Sequence, residues 1–206
     1  MKTTLKIAKA ELQNLFYSPV AWFILIVFAF QCGMVVAGIY ERFARSQALG
    51  YELYDTTLDF FAHRGAFFYV VQQYLYLYVP LLTMGLMSRE FGSGSIKLYY
   101  SSPVTNRQIV LGKYFAMMVY SLILMSVLAI YILIGFFAFD HFDLPVALSG
   151  LLGIYLLVCT YVAIGLFMSS LTSYQVVAAI GTLVVLGILN YIGMVWQNIA
   201  FVRDLT

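Results

Sequence analysis

The sequence predicts an all-α membrane protein, a polytopic bundle with five spanning helices. Of its 206 residues, 63% are hydrophobic and only 10% are charged, whereas soluble domains carry about 25% charged residues. A water-bounded core cannot bury this much apolar surface, so the lipid bilayer is the expected solvent. Five apolar stretches, each near the ~20 residues that cross a ~30 Å hydrocarbon core, contain no Asp, Glu, Lys, Arg or His. They are Val20–Ile39, Phe67–Met87, Tyr114–Phe139, Val146–Met168 and Gln175–Trp196.

Residues 1–19 precede the first span as a separate amphipathic helix. Three lysines and Gln13 share one helical face, and apolar side chains recur with helical spacing on another. The apolar residues are Leu5, Ala8, Leu12, Leu15 and Phe16. Ser18-Pro19 ends this helix. A basic amphipathic helix of this kind lies in the membrane interface and is attracted to anionic lipid.

The first span repeats small residues at every fourth position, Ala29, Gly33 and Ala37. Small residues at this spacing allow helix backbones to approach closely. Packing within the protomer and a seam between two protomers both account for the pattern. Cys32 and Cys159 lie inside apolar runs and are interpreted as small packing residues.

Polar side chains form a stripe on the second span. Tyr69, Gln72, Gln73 and Tyr76 follow helical spacing, and Asn190 is a further polar residue in the fifth span. One interpretation is the lining of a translocation path or of a seam between two copies. The other is an aromatic belt combined with interhelical hydrogen bonds. The residues alone leave both open.

The polar loop 88–113 separates the second and third spans. Its Gly92–Ser95 segment predicts a flexible turn, in which Ser93 or Ser95 caps a short helix over Ile96–Tyr100. Apolar and aromatic residues on such an element are buried either on the bilayer surface or in a pocket of a soluble partner. Both remain open.

The end of the same loop predicts a helix start. Thr105 and Gln108 have the spacing of a capping box, with Gln108 at the third helical position. This helix continues into the third span, whose apolar run is longer than a membrane requires. The excess length predicts either tilt or projection into water.

Lysine and arginine are distributed unevenly between the two sides of the membrane. Seven lie in the N-terminal segment and the polar loop, and four lie on the opposite side. The seven are Lys2, Lys6, Lys9, Arg89, Lys97, Arg107 and Lys113, and the four are Arg42, Arg45, Arg64 and Arg203. Because positive charge marks the cytoplasmic side, the N-terminus is predicted to be cytoplasmic.

The chain carries no energy-coupling motif of its own. The pattern G-x-x-x-x-G-K-[ST] is absent, since the one Gly-Lys pair, Gly112-Lys113, is followed by Tyr114. Spans without ionisable residues argue against proton or sodium coupling. No H-E-x-x-H occurs. The shared helical spacing of Asp55, Asp59 and His63 allows a metal site, but a solvated helical face explains the spacing as well. We therefore predict no catalytic residue, no metal and no cofactor in this chain.

Taken in order, these segments resemble the permease subunits of ABC transporters of the second exporter class, the ABC type-2 permease family. The resemblance covers essentially the whole chain. Within the class, the chain is most similar to the permease of the gliding-motility-associated exporter group. The matching features are "LFYSPVAW", Glu90 after the second span, "GSGSIKLYYSSPVTNRQIVLGKY" and "GLFMSSLTSYQVVAA".

The resemblance implies a role for each segment. Residues 1–206 form a single permease domain, Lys2–Tyr17 is the interfacial elbow helix, and Ser93–Pro103 is the coupling helix that docks into the ATPase. Glu90 either assists that coupling or pairs locally with Arg89 or Lys113. The residues implied in coupling are Glu90, Gly92, Ser93, Gly94, Ile96, Leu98, Tyr99, Ser102 and Pro103.

The resemblance also implies the partners and the location. They are an ABC ATPase subunit that binds the ATP, a second copy or a related permease, and the bilayer, without nucleic acid. The family has six spans, so the chain is expected to lack a sixth. The expected location is the bacterial inner membrane, with the N-terminus in the cytoplasm.

The predicted function is therefore the membrane-spanning permease of an ATP-driven exporter. The alternative is a membrane scaffold that recruits a soluble partner through the same loop and transports nothing. A third hypothesis is an ion-coupled carrier. It predicts transport that responds to a proton or sodium gradient in the absence of any ATPase.

Overall fold

The structure is a computed structural model that describes residues 2–49, 60–61, 66–96, 104–138 and 142–198. The main helices are α1 (Lys2–Tyr17), α2 (Pro19–Ala48), α3 (Phe67–Thr83), α4 (Ser88–Ser93), α5 (Asn106–Ala138), α6 (Leu144–Ser170) and α7 (Gln175–Asn198). Within the described residues there is no strand. Five elements are long and apolar enough to span a membrane: α2, the α3–α4 unit, α5, α6 and α7. The predicted all-α polytopic class is confirmed.

The long helices extend beyond the apolar stretches that predicted them. α5 has 33 residues and a length of about 50 Å at 1.5 Å per residue, so it is longer than a ~30 Å hydrocarbon core is thick. The helix begins directly after Thr105, whose backbone N–H donates to Gln108 Oε1 at 3.1 Å. This bond is the glutamine half of the predicted capping box.

α3 is the central helix of the bundle. It packs against α2, α6 and α7, and its Val71 and Leu75 are fully buried. Close contact with α6 depends on two glycines, because a Cβ on Gly165 would collide with the Thr83 side chain and one on Gly150 with the Phe68 ring. α3 is therefore positioned by small residues on its neighbour.

An aromatic cluster closes the end of the bundle where α2 finishes and α3 begins, which we call the distal end. Phe61 is fully buried, and its ring centroid lies 4.9 Å from that of Phe60 and 5.6 Å from that of Phe142. Phe60 and Phe61 belong to the segment between the first two spans. These two residues thus contribute to the core.

The opposite end, called the basal end, is formed by α1, α4, the start of α5 and residues 171–174. α1 has the predicted bounds and packs along the first turns of α5. Its contact face is rotated from the predicted apolar face but shares part of it: Leu12 and Leu15 pack against the core, whereas Leu5 is 63% exposed, and Ile7 and Glu11 join the contact. The apolar periodicity did not indicate this rotation, because a buried carboxylate belongs to the contact.

A turn at residues 84–87 interrupts the helix between α3 and α4; we call this interruption the α3–α4 break. α4 then covers Ser88–Ser93 and ends at Gly94, whose φ of +72° lies in the left-handed region that favours glycine. The predicted flexible turn over Gly92–Ser95 is wrong for Gly92 and Ser93, which are helical. Of the helix predicted for Ile96–Tyr100, residues 97–100 lie outside the described residues.

Candidate functional site

A buried ion cluster lies at the basal end of the bundle. The Lys113 ammonium lies 2.5 Å from Glu11 Oε1 and 2.7 Å from Glu90 Oε1. The side-chain exposure of Lys113 is 1%, that of Glu11 is 7% and that of Glu90 is 13%. One cation therefore joins three elements: α1 through Glu11, α4 through Glu90, and α5, which carries Lys113.

The backbone at Gly112 makes this geometry possible. A Cβ at Gly112 would lie 2.7 Å from Ile7 Cγ2 and 3.2 Å from the Thr4 carbonyl oxygen, closer than atoms pack. Glycine therefore allows α1 to lie directly on α5. The next residue, Lys113, is then buried within reach of Glu11. The Gly112-Lys113 pair is not part of a P-loop. It allows α1 to pack closely on α5.

The charges of the ion cluster do not balance. Two carboxylates face one ammonium, and Glu90 Oε2 is buried without a hydrogen-bond partner within the part of the chain that the structure describes. An unsatisfied buried acceptor costs about 1–3 kcal/mol, and more when it is charged. Glu90 is also four residues before Gly94, the residue that ends α4. The unpartnered carboxylate oxygen thus lies on α4, close to its end.

Ser169 holds the break between α3 and α4. Its fully buried hydroxyl accepts hydrogen bonds from the backbone N–H groups of Met87 (3.0 Å) and Ser88 (3.1 Å). The same hydroxyl donates to the Met84 carbonyl at 2.8 Å. A single side chain from α6 thereby satisfies backbone groups that the interrupted helix leaves without partners.

The segment after α6 supports the other side of α4. A Cβ on Gly92 would lie 2.9 Å from the Ser173 carbonyl oxygen, so α4 touches the 171–174 segment through a residue without a side chain. α4 is therefore fixed by Ser169 at its start, by Ser173 along its side and by Lys113 at Glu90.

The residues implied in ATPase coupling divide into two groups. Glu90, Gly92 and Ser93 lie on α4, Gly94 ends it, and Ile96 follows. The Ser93 and Ser95 hydroxyls lie 2.9 Å apart and stabilise the turn after α4. Leu98, Tyr99, Ser102 and Pro103 lie outside the described residues. The coupling role of both groups stays a prediction.

The polar stripe of the second span is placed partly inside the bundle and partly on its surface. Tyr76 donates to the Leu183 carbonyl of α7 at 2.8 Å, and Gln72 lies next to the Tyr161 hydroxyl of α6. Tyr69, Gln73 and Asn190 are exposed on the surface of this single chain. The stripe therefore makes an interhelical hydrogen bond and also presents polar groups outward.

Two residues of the site were missed by sequence reasoning, Glu11 and Ser169. Glu11 is the only acidic residue among the first 40, and an isolated acid on a basic amphipathic helix is a usable signal. Ser169 belongs to the quoted segment "GLFMSSLTSYQVVAA", but nothing in the sequence separates it from the adjacent Ser170. The Ser170 hydroxyl donates to the Phe167 carbonyl within its own helix.

Comparison with known proteins identifies one family. A family model described as ABC-2 family transporter protein matches residues 5–203. Neither the curated proteins nor the solved structures that were searched contain a match. The matched region begins at Leu5, inside α1, and covers α2 to α7 and the three residues of the ion cluster.

Proposed function

The chain belongs to the ABC-2 family of transporter proteins, and from this premise we propose that it is the permease subunit of an ATP-driven exporter. Members of the family are the non-catalytic membrane components of ABC transporters. In our proposal a separate ATPase binds and hydrolyses ATP, and this chain requires no cofactor. The ATPase contacts the polar loop 88–113.

The observation that carries the proposal is the ion cluster. Glu90 precedes the part of the loop assigned to the ATPase, and Lys113 follows it, so both ends of the loop meet at a single buried ammonium. A pull on the loop is therefore transmitted to α5, to α4 and, through Glu11, to α1. Interhelical ion pairs of this kind have discrete arrangements, which suits them to switching between two states.

The cargo path is assigned to the outward-facing part of the polar stripe. Tyr69, Gln73 and Asn190 lie on span helices and are exposed on a single chain. Polar groups facing hydrocarbon are costly, so such residues face a partner helix or a water-filled space. We assign them to the seam with a second permease copy and to the path that it encloses.

Two finer assignments belong to the same proposal. The membrane is the bacterial inner membrane with the N-terminus in the cytoplasm, which is supported by seven of eleven basic residues on that side. The subgroup is that of the gliding-motility exporters, which is supported by the order of the quoted segments.

The test is a mild-detergent pull-down of the full chain and of a variant that lacks Gly94–Tyr100. We expect the full chain to copurify with a P-loop ATPase, and we expect the deletion to lose that ATPase and ATP-dependent transport while inserting normally. The ion cluster and α4 remain in the variant, so insertion serves as the control. Normal transport by the deletion variant would exclude the coupling role of the loop, and copurification of an unrelated protein alone would favour a scaffold.

A further inference from the structure

A cavity of about 220 Å³ lies at the basal end, between α1, the start of α2, the α3–α4 break and the start of α7. At ~30 Å³ per water molecule, this volume equals about seven waters. It therefore accommodates a small polar group rather than a large cargo. Its lining combines apolar side chains with Glu11, Asn14, Arg89 and Gln175.

The polar lining carries charge of both signs. Arg89 is exposed and forms no ion pair with any described residue. Glu11 belongs to the ion cluster, in which it shares the single Lys113 ammonium with Glu90. A ligand that places an anionic group on Arg89 and a cationic group toward Glu11 would pair with both charged side chains of the lining. The cavity is thus complementary to a zwitterion.

The apolar lining indicates that this zwitterion carries a hydrocarbon part. Leu15, Leu82 and Leu86 line the cavity together with Val20. Val20 is itself 50% exposed, and Phe23, one turn along α2, is 68% exposed. Val20 therefore links the cavity lining to an exposed apolar stretch of α2. A soluble zwitterion would leave this apolar wall without a partner.

We propose that this cavity binds the headgroup of a phosphoethanolamine-type phospholipid. The phosphate accepts hydrogen bonds from the Arg89 guanidinium and from the Gln175 amide. The primary ammonium lies toward Glu11, where Asn14 supplies a neutral acceptor. The glycerol and acyl chains follow Val20 onto the outer face of α2. The site goes beyond the proposed transport function and does not depend on ATPase binding.

The test is native mass spectrometry of the full chain in mild detergent, titrated with phosphatidylethanolamine, phosphatidylcholine and phosphatidylglycerol that share the same acyl chains. We expect the ethanolamine lipid to bind about tenfold more tightly than the other two, because only it combines a phosphate with a primary ammonium. Equal affinity for the glycerol lipid would overturn the proposal, since the site would then select phosphate alone. Equal affinity for the choline lipid would also overturn the proposal, because the site would then not recognise the primary ammonium of the ethanolamine headgroup.

Variants test the assigned residue. Arg89→Gln is expected to weaken binding of the ethanolamine lipid about tenfold, whereas Arg107→Gln changes it by less than about twofold. Arg107 is an exposed arginine at the same end that does not line the cavity. Equal losses in both variants would indicate binding to surface charge and contradict the site. The lipid comparison on the unaltered chain decides the question even if Arg89→Gln fails to fold.

A competition experiment separates the two sources of the headgroup. Soluble phosphoethanolamine, added at the lipid's concentration, is expected to leave the bound lipid in place, because it lacks the chains that cover the apolar wall. Displacement at equal concentration would show that the cavity takes the free compound and would refute the lipid assignment.

Discussion

At the scale of single residues, Lys113 connects more of the basal end than any other side chain in the described structure. Its ammonium is 1% exposed and faces two carboxylates. Replacing it in Lys113→Met leaves Glu11 and Glu90 buried together without a cation. We expect a loss of about 3–5 kcal/mol in the free energy of unfolding, the range for removing one partner of a buried pair. Denaturation in detergent micelles measures it.

The control is an ion pair with similar geometry and high exposure. Arg45 lies 2.7 Å from Glu41, and their side chains are 77% and 67% exposed. Arg45→Met is expected to change the free energy of unfolding by less than about 1 kcal/mol. A loss in Lys113→Met no larger than this would mean that the ion cluster does not stabilise the fold.

Glu90→Gln separates stability from coupling. The substitution removes the excess negative charge while Lys113 keeps Glu11 as its partner, so we expect a smaller loss in the free energy of unfolding than in Lys113→Met. Transport coupled to ATP hydrolysis is expected to fall about two- to thirtyfold, the effect of altering a residue between two coupled sites. Reconstituted transport per ATP hydrolysed is the measurement. Glu41→Gln, on the exposed pair, is the control, and full coupling in Glu90→Gln would contradict the proposal.

Ser169→Ala tests how the α3–α4 break is held. The variant leaves the N–H groups of Met87 and Ser88 without their acceptor in a buried site, so a loss of about 1–3 kcal/mol is expected. Hydrogen exchange should also accelerate at these two amides. Ser126→Ala removes a bond to the Ile123 carbonyl within one exposed turn and should cost less than about 0.5 kcal/mol. Similar losses in both variants would argue that Ser169 contributes no more than an ordinary serine.

At the scale of elements, the packing of α6 on α3 depends on where its glycines lie. A Cβ on Gly165 would meet the Thr83 side chain, whereas one on Gly153, in the same helix, would meet no atom within 4 Å. Gly165→Ala is expected to lower the free energy of unfolding by about 1–3 kcal/mol. Gly153→Ala is expected to be neutral or to raise it by up to about 1 kcal/mol, because alanine favours the helix. Thermal unfolding of both variants in the same detergent checks the difference, and the same sign for both would refute the close approach.

At the scale of the whole molecule, the bundle has two ends that our proposal assigns to opposite sides of the membrane. Asn106, at the start of α5, is exposed at the basal end, and Leu49, after α2, is 74% exposed at the distal end. In spheroplasts, a membrane-impermeant maleimide is expected to label Leu49→Cys and to leave Asn106→Cys unlabelled until the membrane is opened. The unaltered chain, whose Cys32 is fully buried, gives the background. The reverse pattern would place the N-terminus outside.

Local rules predicted much of the architecture because the bilayer imposes a simple constraint. The bounds of α1 and the location of all five spans followed from apolar periodicity, from Ser18-Pro19 and from the absence of charge. The start of α5 followed from the spacing of Thr105 and Gln108. The extent of α4 did not, because its first N–H groups are satisfied by Ser169 of α6 and not by a local cap.

The sequence by itself predicted five segments that are long and apolar enough to cross a membrane, and it shows that the chain carries no P-loop motif, since both depend on composition and on residues close together in the chain. The resemblance to ABC type-2 permeases also rests on such short segments. Only the tertiary structure decided which polar residues act together. Glu11 and Lys113 are 102 residues apart in the sequence. Local rules place a glutamate of an amphipathic helix in solvent, so they do not predict that Glu11 is buried beside Lys113. Buried charged and hydroxyl side chains in the bundle are stabilised by partners on other helices, and the packing of the helices determines which partners come within reach.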